Sequence, residues 1–104
     1  MQAVLNKIET TTSDIDYFLS KLENADNIAK NEIENKLVDI GKSAVGELVN
    51  QLQVVQGVKR GVVAMTLIRI GDASIEYLQE AAKTNKDFEW VARYLISEIK
   101  GQAA

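Results

Sequence analysis

Apolar residues in this chain recur at steps of three and four, the spacing that lines one face of an α-helix. Ile15, Phe18, Leu19 and Leu22 follow it, as do Val45, Leu48, Val49 and Leu52. So do Val58, Val62, Val63, Leu67 and Ile70, and then Ile75, Leu78 and Ala82. The pattern predicts a short helix from Ala3 to about Glu9 and longer helices over 14–23, 27–40, 43–53, 58–70, 73–84 and 87–99. The connections are short: Asn24-Ala25-Asp26, the stretch around Gln56-Gly57, and Thr84-Asn85-Lys86 have the composition of turns. Proline is absent and glycine is sparse, which favours helices that run uninterrupted.

The helices repeat in pairs. Leu37-Val38-Asp39-Ile40-Gly41-Lys42-Ser43-Ala44-Val45 reappears 30 residues later as Leu67-Ile68-Arg69-Ile70-Gly71-Asp72-Ala73-Ser74-Ile75. The same offset carries Ile15, Phe18, Leu19 and Leu22 onto Val45, Leu48, Val49 and Leu52. A degenerate copy follows, with Ala92, Leu95 and Ile99 resembling Ala64, Leu67 and Ile70 at an offset of 28 or 29. Gly41 and Gly71 stand just past a helix, where a left-handed cap favours glycine. Ser43, Asp72 or Ser74 can cap the helix that follows, and Ser13 or Asp14 the one before Leu22. A single hairpin of this kind is too thin to bury its apolar face, and stacked hairpins share one core. The expected fold is therefore all-α: one domain over 1–104, an α-α superhelix of about three helical hairpins with a short N-terminal helix. Its units fall at about 1–24, 27–54 and 57–84, with a closing helix over 87–100.

The segment Lys59-Arg60-Gly61-Val62-Val63-Ala64-Met65-Thr66-Leu67-Ile68-Arg69-Ile70-Gly71-Asp72-Ala73 resembles the HEAT repeat, in the subtype related to phycobilisome-lyase repeats. Arg60, Ala64, Leu67, Ile70, Gly71 and Asp72 match that subtype position by position. The preceding unit matches less fully, with Lys30 in the Arg position and Lys42 in the Asp position, and the resemblance extends over about residues 27–100. Ala73 and Ser43 replace the proline that many members carry after Gly-Asp. The resemblance implies a HEAT-like solenoid whose second helices line the concave face. It says little about function, because unrelated proteins use these repeats.

Composition narrows the chemistry. The chain has neither cysteine nor histidine, which removes disulfides, thiolate nucleophiles, imidazole bases and the usual zinc ligands. No calcium-loop or phosphate-cradling motif occurs, and no cofactor is expected. Net charge is −3 with a sequence pI near 4.9, which argues against nucleic acid as a partner, since duplex binders neutralise phosphates with a basic stripe. No apolar run reaches the roughly 20 residues of a membrane span and no secretory signal is visible. The expected setting is the cytoplasm, and Met1 reads as a native start.

The candidate function follows from the rows that the repeat generates. Aligning the second helices by 30 residues gives Asp16, Gly46 and Glu76 in one row, Tyr17, Glu47 and Tyr77 in the next, and Ser20, Asn50 and Glu80 in a third. These rows lie off the apolar stripe and form an exposed strip with two tyrosines and several acids. Exposed tyrosine is a common interface residue. Trp90, near Arg93 and Tyr94, is a further hot-spot candidate on the flank of a terminal unit in which Phe88, Val91, Leu95 and Ile99 close the core. The expected function is a non-catalytic protein-interaction module or scaffold that binds a partner protein through Tyr17, Glu47, Asn50, Glu76, Tyr77, Glu80 and Trp90. Glu76 and Glu80 share a helix face with no opposing nucleophile or base, so they do not read as an acid–base pair. Two alternatives are a tetrapyrrole (bilin) lyase or chaperone, implied by the subtype resemblance, and a homo-oligomeric assembly element.

Overall fold

The computed structural model describes residues 14–103 of the chain, which form helices joined by short turns, with no strand among them. Residues 14–20 form α1. It is followed by α2 (Asn27–Ile40), α3 (Val45–Leu52), α4 (Gly57–Ile70), α5 (Ile75–Thr84) and α6 (Glu89–Ala103). The expected helix over Ala3–Glu9 and the cap at Ser13 lie outside the described residues.

Local chemistry sets the boundaries. Asp26 starts α2: its backbone is extended, and its carboxylate accepts a hydrogen bond from the Ala29 N–H at 2.8 Å, supplying one of the acceptors that a helix N-terminus lacks. Gly41 and Gly71 end α2 and α4 with φ of 72° and 89°. Their ψ values, −141° and −139°, put both in the extended mirror region and not in the left-handed helical one that the sequence suggests. Only glycine enters that region readily. The next residues wind as 3₁₀ turns, Gly41–Ala44 and Gly71–Ser74, before regular helix resumes. This differs from the capping expected from Ser43, Asp72 and Ser74. Ser43 Oγ donates to the Ile40 carbonyl at 3.3 Å. Ser74 is fully buried and its Oγ donates to the Leu67 carbonyl at 2.9 Å, which also accepts the Gly71 N–H.

Two sets of helices share the core. α4 packs between α2 and α6, while α3 packs on α5 and against α4, and α5 packs on α6. α1 joins the α3 side through the same core and through Gln51, whose Nε2 reaches Asp16 Oδ1 at 3.5 Å. The outcome is an outer layer of α2, α4 and α6 over a second layer of α1, α3 and α5. The 30-residue register is visible in burial: Ile15 and Val45 are fully buried, as are Leu48 and Leu78, and Leu37 and Leu67. The buried polar groups are satisfied locally. Thr66 Oγ1 donates to the Val62 carbonyl at 2.7 Å, and no described side chain leaves a buried nitrogen or oxygen without a partner.

In α6 the register becomes 29. Val91, Ala92 and Leu95 are buried where α4 buries Val62, Val63 and Thr66. Phe88 is buried and closes this end of the core, as expected. α6 runs past the expected end at residue 99 because Gln102 Nε2 donates to the Ile68 carbonyl at 2.6 Å, tying the last turn to α4. Polar ties between units come from residues other than the Arg60 and Asp72 of the repeat motif. Arg69 Nη1 donates to Glu34 Oε2 at 2.8 Å and to Asn35 Oδ1 at 2.9 Å, and Lys59 lies 3.8 Å from Glu23.

Candidate partner-binding surface

Each helix of the second layer buries one stripe and presents another. α1 buries Ile15 and Leu19, with Leu22 buried in the turn after it, and exposes Asp16, Tyr17 and Ser20. α3 buries Val45, Leu48, Val49 and Leu52 and presents Gly46, Glu47 and Asn50, with Glu47 half-buried. α5 buries Leu78 and Ala81 and exposes Glu76, Tyr77 and Glu80. Tyr17 and Tyr77 keep 57% and 48% of their surface in solvent. Both rings are large side chains left in solvent on helices that have already buried their apolar stripes.

The three helices are knitted together along this face. Gln51 Nε2 donates to Glu47 Oε2 at 3.0 Å and reaches toward Asp16, so one amide links the acids of α1 and α3. Tyr17 packs edge-on to Phe18, with ring centroids 5.7 Å apart at 65°, and Lys21 Nζ stands 5.1 Å from the Tyr17 ring centre. That distance is within reach of a cation–π attraction. Tyr77 lies across α3 at Gly46: a Cβ at that glycine would sit 3.3 Å from Tyr77 Cε2. The absent side chain is what lets the ring settle there. Beside it, Asn50 of α3 and Gln53 just past its end face Glu80 and Thr84 of α5 across a groove of ≈190 Å³. Asn85 Nδ2 donates to Gln53 Oε1 at 3.0 Å, joining the ends of the two helices.

Six of the seven candidate residues thus come together on α1, α3 and α5. Trp90 does not join them. It is 71% exposed on α6, in the other layer, and its register of 29 places it in the row of Gly61, with Tyr94 in the row of Met65. The outer layer therefore has exposed apolar side chains of its own, Val58, Met65, Trp90 and Tyr94. Between α2 and α4 it carries a groove of ≈530 Å³ beside Lys30, Gly61 and Met65. The sequence pattern places Val58 in the apolar stripe of α4, yet at the second position of the helix it stays 46% exposed. Gly46 as the seat of Tyr77, and Gln51 as the bridge, were also hidden in the sequence. The available signal was a glycine inside an otherwise strongly amphipathic helix.

Among the described residues no group of three or more Asp or Glu is arranged to hold a metal ion, and no helix is long and apolar enough to cross a membrane. No known protein family, characterised protein or solved structure matches this chain.

Proposed function

We propose that this chain is a small HEAT-like α-α superhelix that works as a non-catalytic protein-interaction module in the cytoplasm, docking a partner protein on the exposed face of α1, α3 and α5. The observation that carries this reading is the pair of half-exposed tyrosines on that face, one of them seated on a glycine of the neighbouring helix. Tyrosine gives a large contact area at low entropic cost, and tyrosines held by neighbours recur among the residues that dominate interfaces. The repeat register and the two-layer packing support the HEAT-like description. The absence of histidine and cysteine supports the non-catalytic one. A tetrapyrrole-binding role draws no support from the geometry, in which the recesses between helices are grooves on the surface.

The test compares two double variants by affinity capture with quantitative mass spectrometry. Tyr17→Ala with Tyr77→Ala should lower recovery of a partner retained by the wild type by about tenfold or more, the loss typical of interface anchors. Trp90→Ala with Tyr94→Ala, on the other layer, should keep it. Retention by the first variant, with loss in the second, would move the docking face to the outer layer.

A further inference from the structure

We infer that the partner segment taken by α1, α3 and α5 is basic, with Arg or Lys side chains laid on Tyr17 and Tyr77 and paired with the carboxylates around them; this rests on that face being the docking surface. Its rows hold Asp16, Glu47, Glu76 and Glu80 and not one Lys or Arg. Four carboxylates stand here against one neighbouring cation, Lys21, so the face carries an excess of negative charge comparable to the net −3 of the whole chain. Glu76 and Glu80 stand one turn apart and pair with no cation among the described residues. An acidic or phosphate-bearing partner would meet like charge, which costs several-fold in association, whereas a basic one is drawn in.

The aromatic part of the face points to the same chemistry. Lys21 Nζ already occupies the region over the Tyr17 ring at 5.1 Å, so the protein itself shows what that ring attracts. Tyr77 offers a second ring, with Glu76 and Glu80 around it and Gly46 beneath. An arginine here would stack its guanidinium on the ring and offer its remaining N–H groups to the carboxylates, a combination for which its planar shape is suited. Adjacent packed helices lie 8–10 Å apart, which puts α1 and α5 about 18 Å from each other across α3. An extended chain covers that distance in about five residues. Successive side chains of an extended chain point to opposite sides, so the matching ligand has two cationic side chains about six positions apart, an even spacing that keeps both on the same side.

The probe is a synthetic Gly/Ser peptide of about twelve residues with two arginines at that spacing, titrated into the ¹⁵N-labelled chain. Two companion peptides carry glutamate or leucine in place of arginine. The arginine peptide should shift the signals of Tyr17, Asn50 and Tyr77 and leave the indole N–H of Trp90, the single tryptophan, unmoved. Its affinity should fall several-fold as salt rises from about 0.05 to 0.2 M. The exposed triple D16N, E76Q and E80Q should weaken it by about tenfold. The triple E32Q, D39N and E98Q removes the same charge from exposed sites on α2 and α6 and should leave affinity within about twofold.

Equal losses in the two triples would mean diffuse attraction to an acidic protein and would overturn the inference. So would silence up to about 5 mM arginine peptide, a concentration at which even millimolar affinities register. If the glutamate or leucine peptide shifts Tyr17 and Tyr77 and the arginine peptide does not, the docking face stands and the basic partner falls. If shifts appear only at Trp90 and Tyr94, both fall. Shifts at Tyr17 and Tyr77 that grow with protein concentration alone would assign the face to a second copy of this chain, again overturning the basic partner.

Discussion

Gly46→Ala separates stability from the shape of the proposed docking face. Gly46 lies in the first turn of α3 and its backbone is ordinary helix, so exchanging it for alanine removes backbone freedom from the unfolded chain and gains about 0.5–1 kcal/mol. Against this stands the new methyl group, 3.3 Å from Tyr77 Cε2 and 3.8 Å from Cδ2. The first contact is a few tenths of an ångström too short, and one of the two groups has to give. Tyr77 is half-exposed, so its ring can tilt outward into solvent. A shift of this size costs about 0.5 kcal/mol, the low end for a side chain pushed off its rotamer.

The balance favours stability by about 0–0.5 kcal/mol, a rise of about 0–4 °C in Tm for a domain of this size. The ring is nonetheless displaced from its seat. Thermal unfolding by circular dichroism reads the first effect, and the aromatic proton shifts and contacts of Tyr77 read the second. Partner affinity should fall for Gly46→Ala, by less than for Tyr77→Ala. A drop in Tm of several degrees would refute the reasoning, because it would mean that the ring is locked against α3 and cannot yield. Unchanged Tyr77 signals would refute it in another way, by removing the ring from Gly46 altogether.

Two other glycines make a matched pair, since a Cβ at either meets nothing within 4 Å. Gly71→Ala forces a methyl-bearing residue to φ 89° and should destabilise by about 1–3 kcal/mol, whereas Gly61→Ala, within α4, should stabilise by up to about 1 kcal/mol; urea unfolding of both separates backbone strain from packing. Leu67→Ala removes a fully buried side chain and should cost about 2–5 kcal/mol, with Leu37→Ala, its repeat equivalent, in the same range by the same measurement. Arg69→Ala deletes the tie to Glu34 and Asn35, but at 40% side-chain exposure the change should be at most about 1 kcal/mol, and smaller still in high salt.

The helices were legible because their apolar stripes are complete. The sequence expectation of 27–40 for α2 coincides with Asn27–Ile40, bounded by an aspartate whose side chain caps the first turn and a glycine whose backbone conformation ends the helix. α3 and α5 begin two residues later than the pattern suggests because Gly41–Ala44 and Gly71–Ser74 wind as 3₁₀ turns. Apolar spacing does not distinguish a tight turn from the first turn of an α-helix. The far end of α6 was hidden for a different reason. The apolar pattern stops at Ile99, and the helix continues through Gly101 because Gln102 finds an acceptor on α4, a tertiary contact that no local pattern contains.

The candidate face was half legible, and the reason lies in the geometry of stacked helices. A 30-residue row collects positions that point the same way from successive helices, so Tyr17, Glu47 and Tyr77 follow from the repeat alone. Contacts between those helices run along other offsets. Tyr77 meets Gly46, 31 positions back, and Gln51 reaches Asp16, 35 back, because neighbouring side chains interlock diagonally and do not face one another across a row. Trp90 lies apart from the other six for a third reason. Layers alternate along the chain, so the parity of a helix decides which face its exposed residues join. α6 is even, like α2 and α4, and its tryptophan belongs with Met65 and Tyr94, whatever chemistry it shares with Tyr17 and Tyr77. The acidic tyrosine face and the apolar outer face are therefore separate surfaces. A substitution on one should leave binding at the other unchanged, since side chains that share no partner act additively.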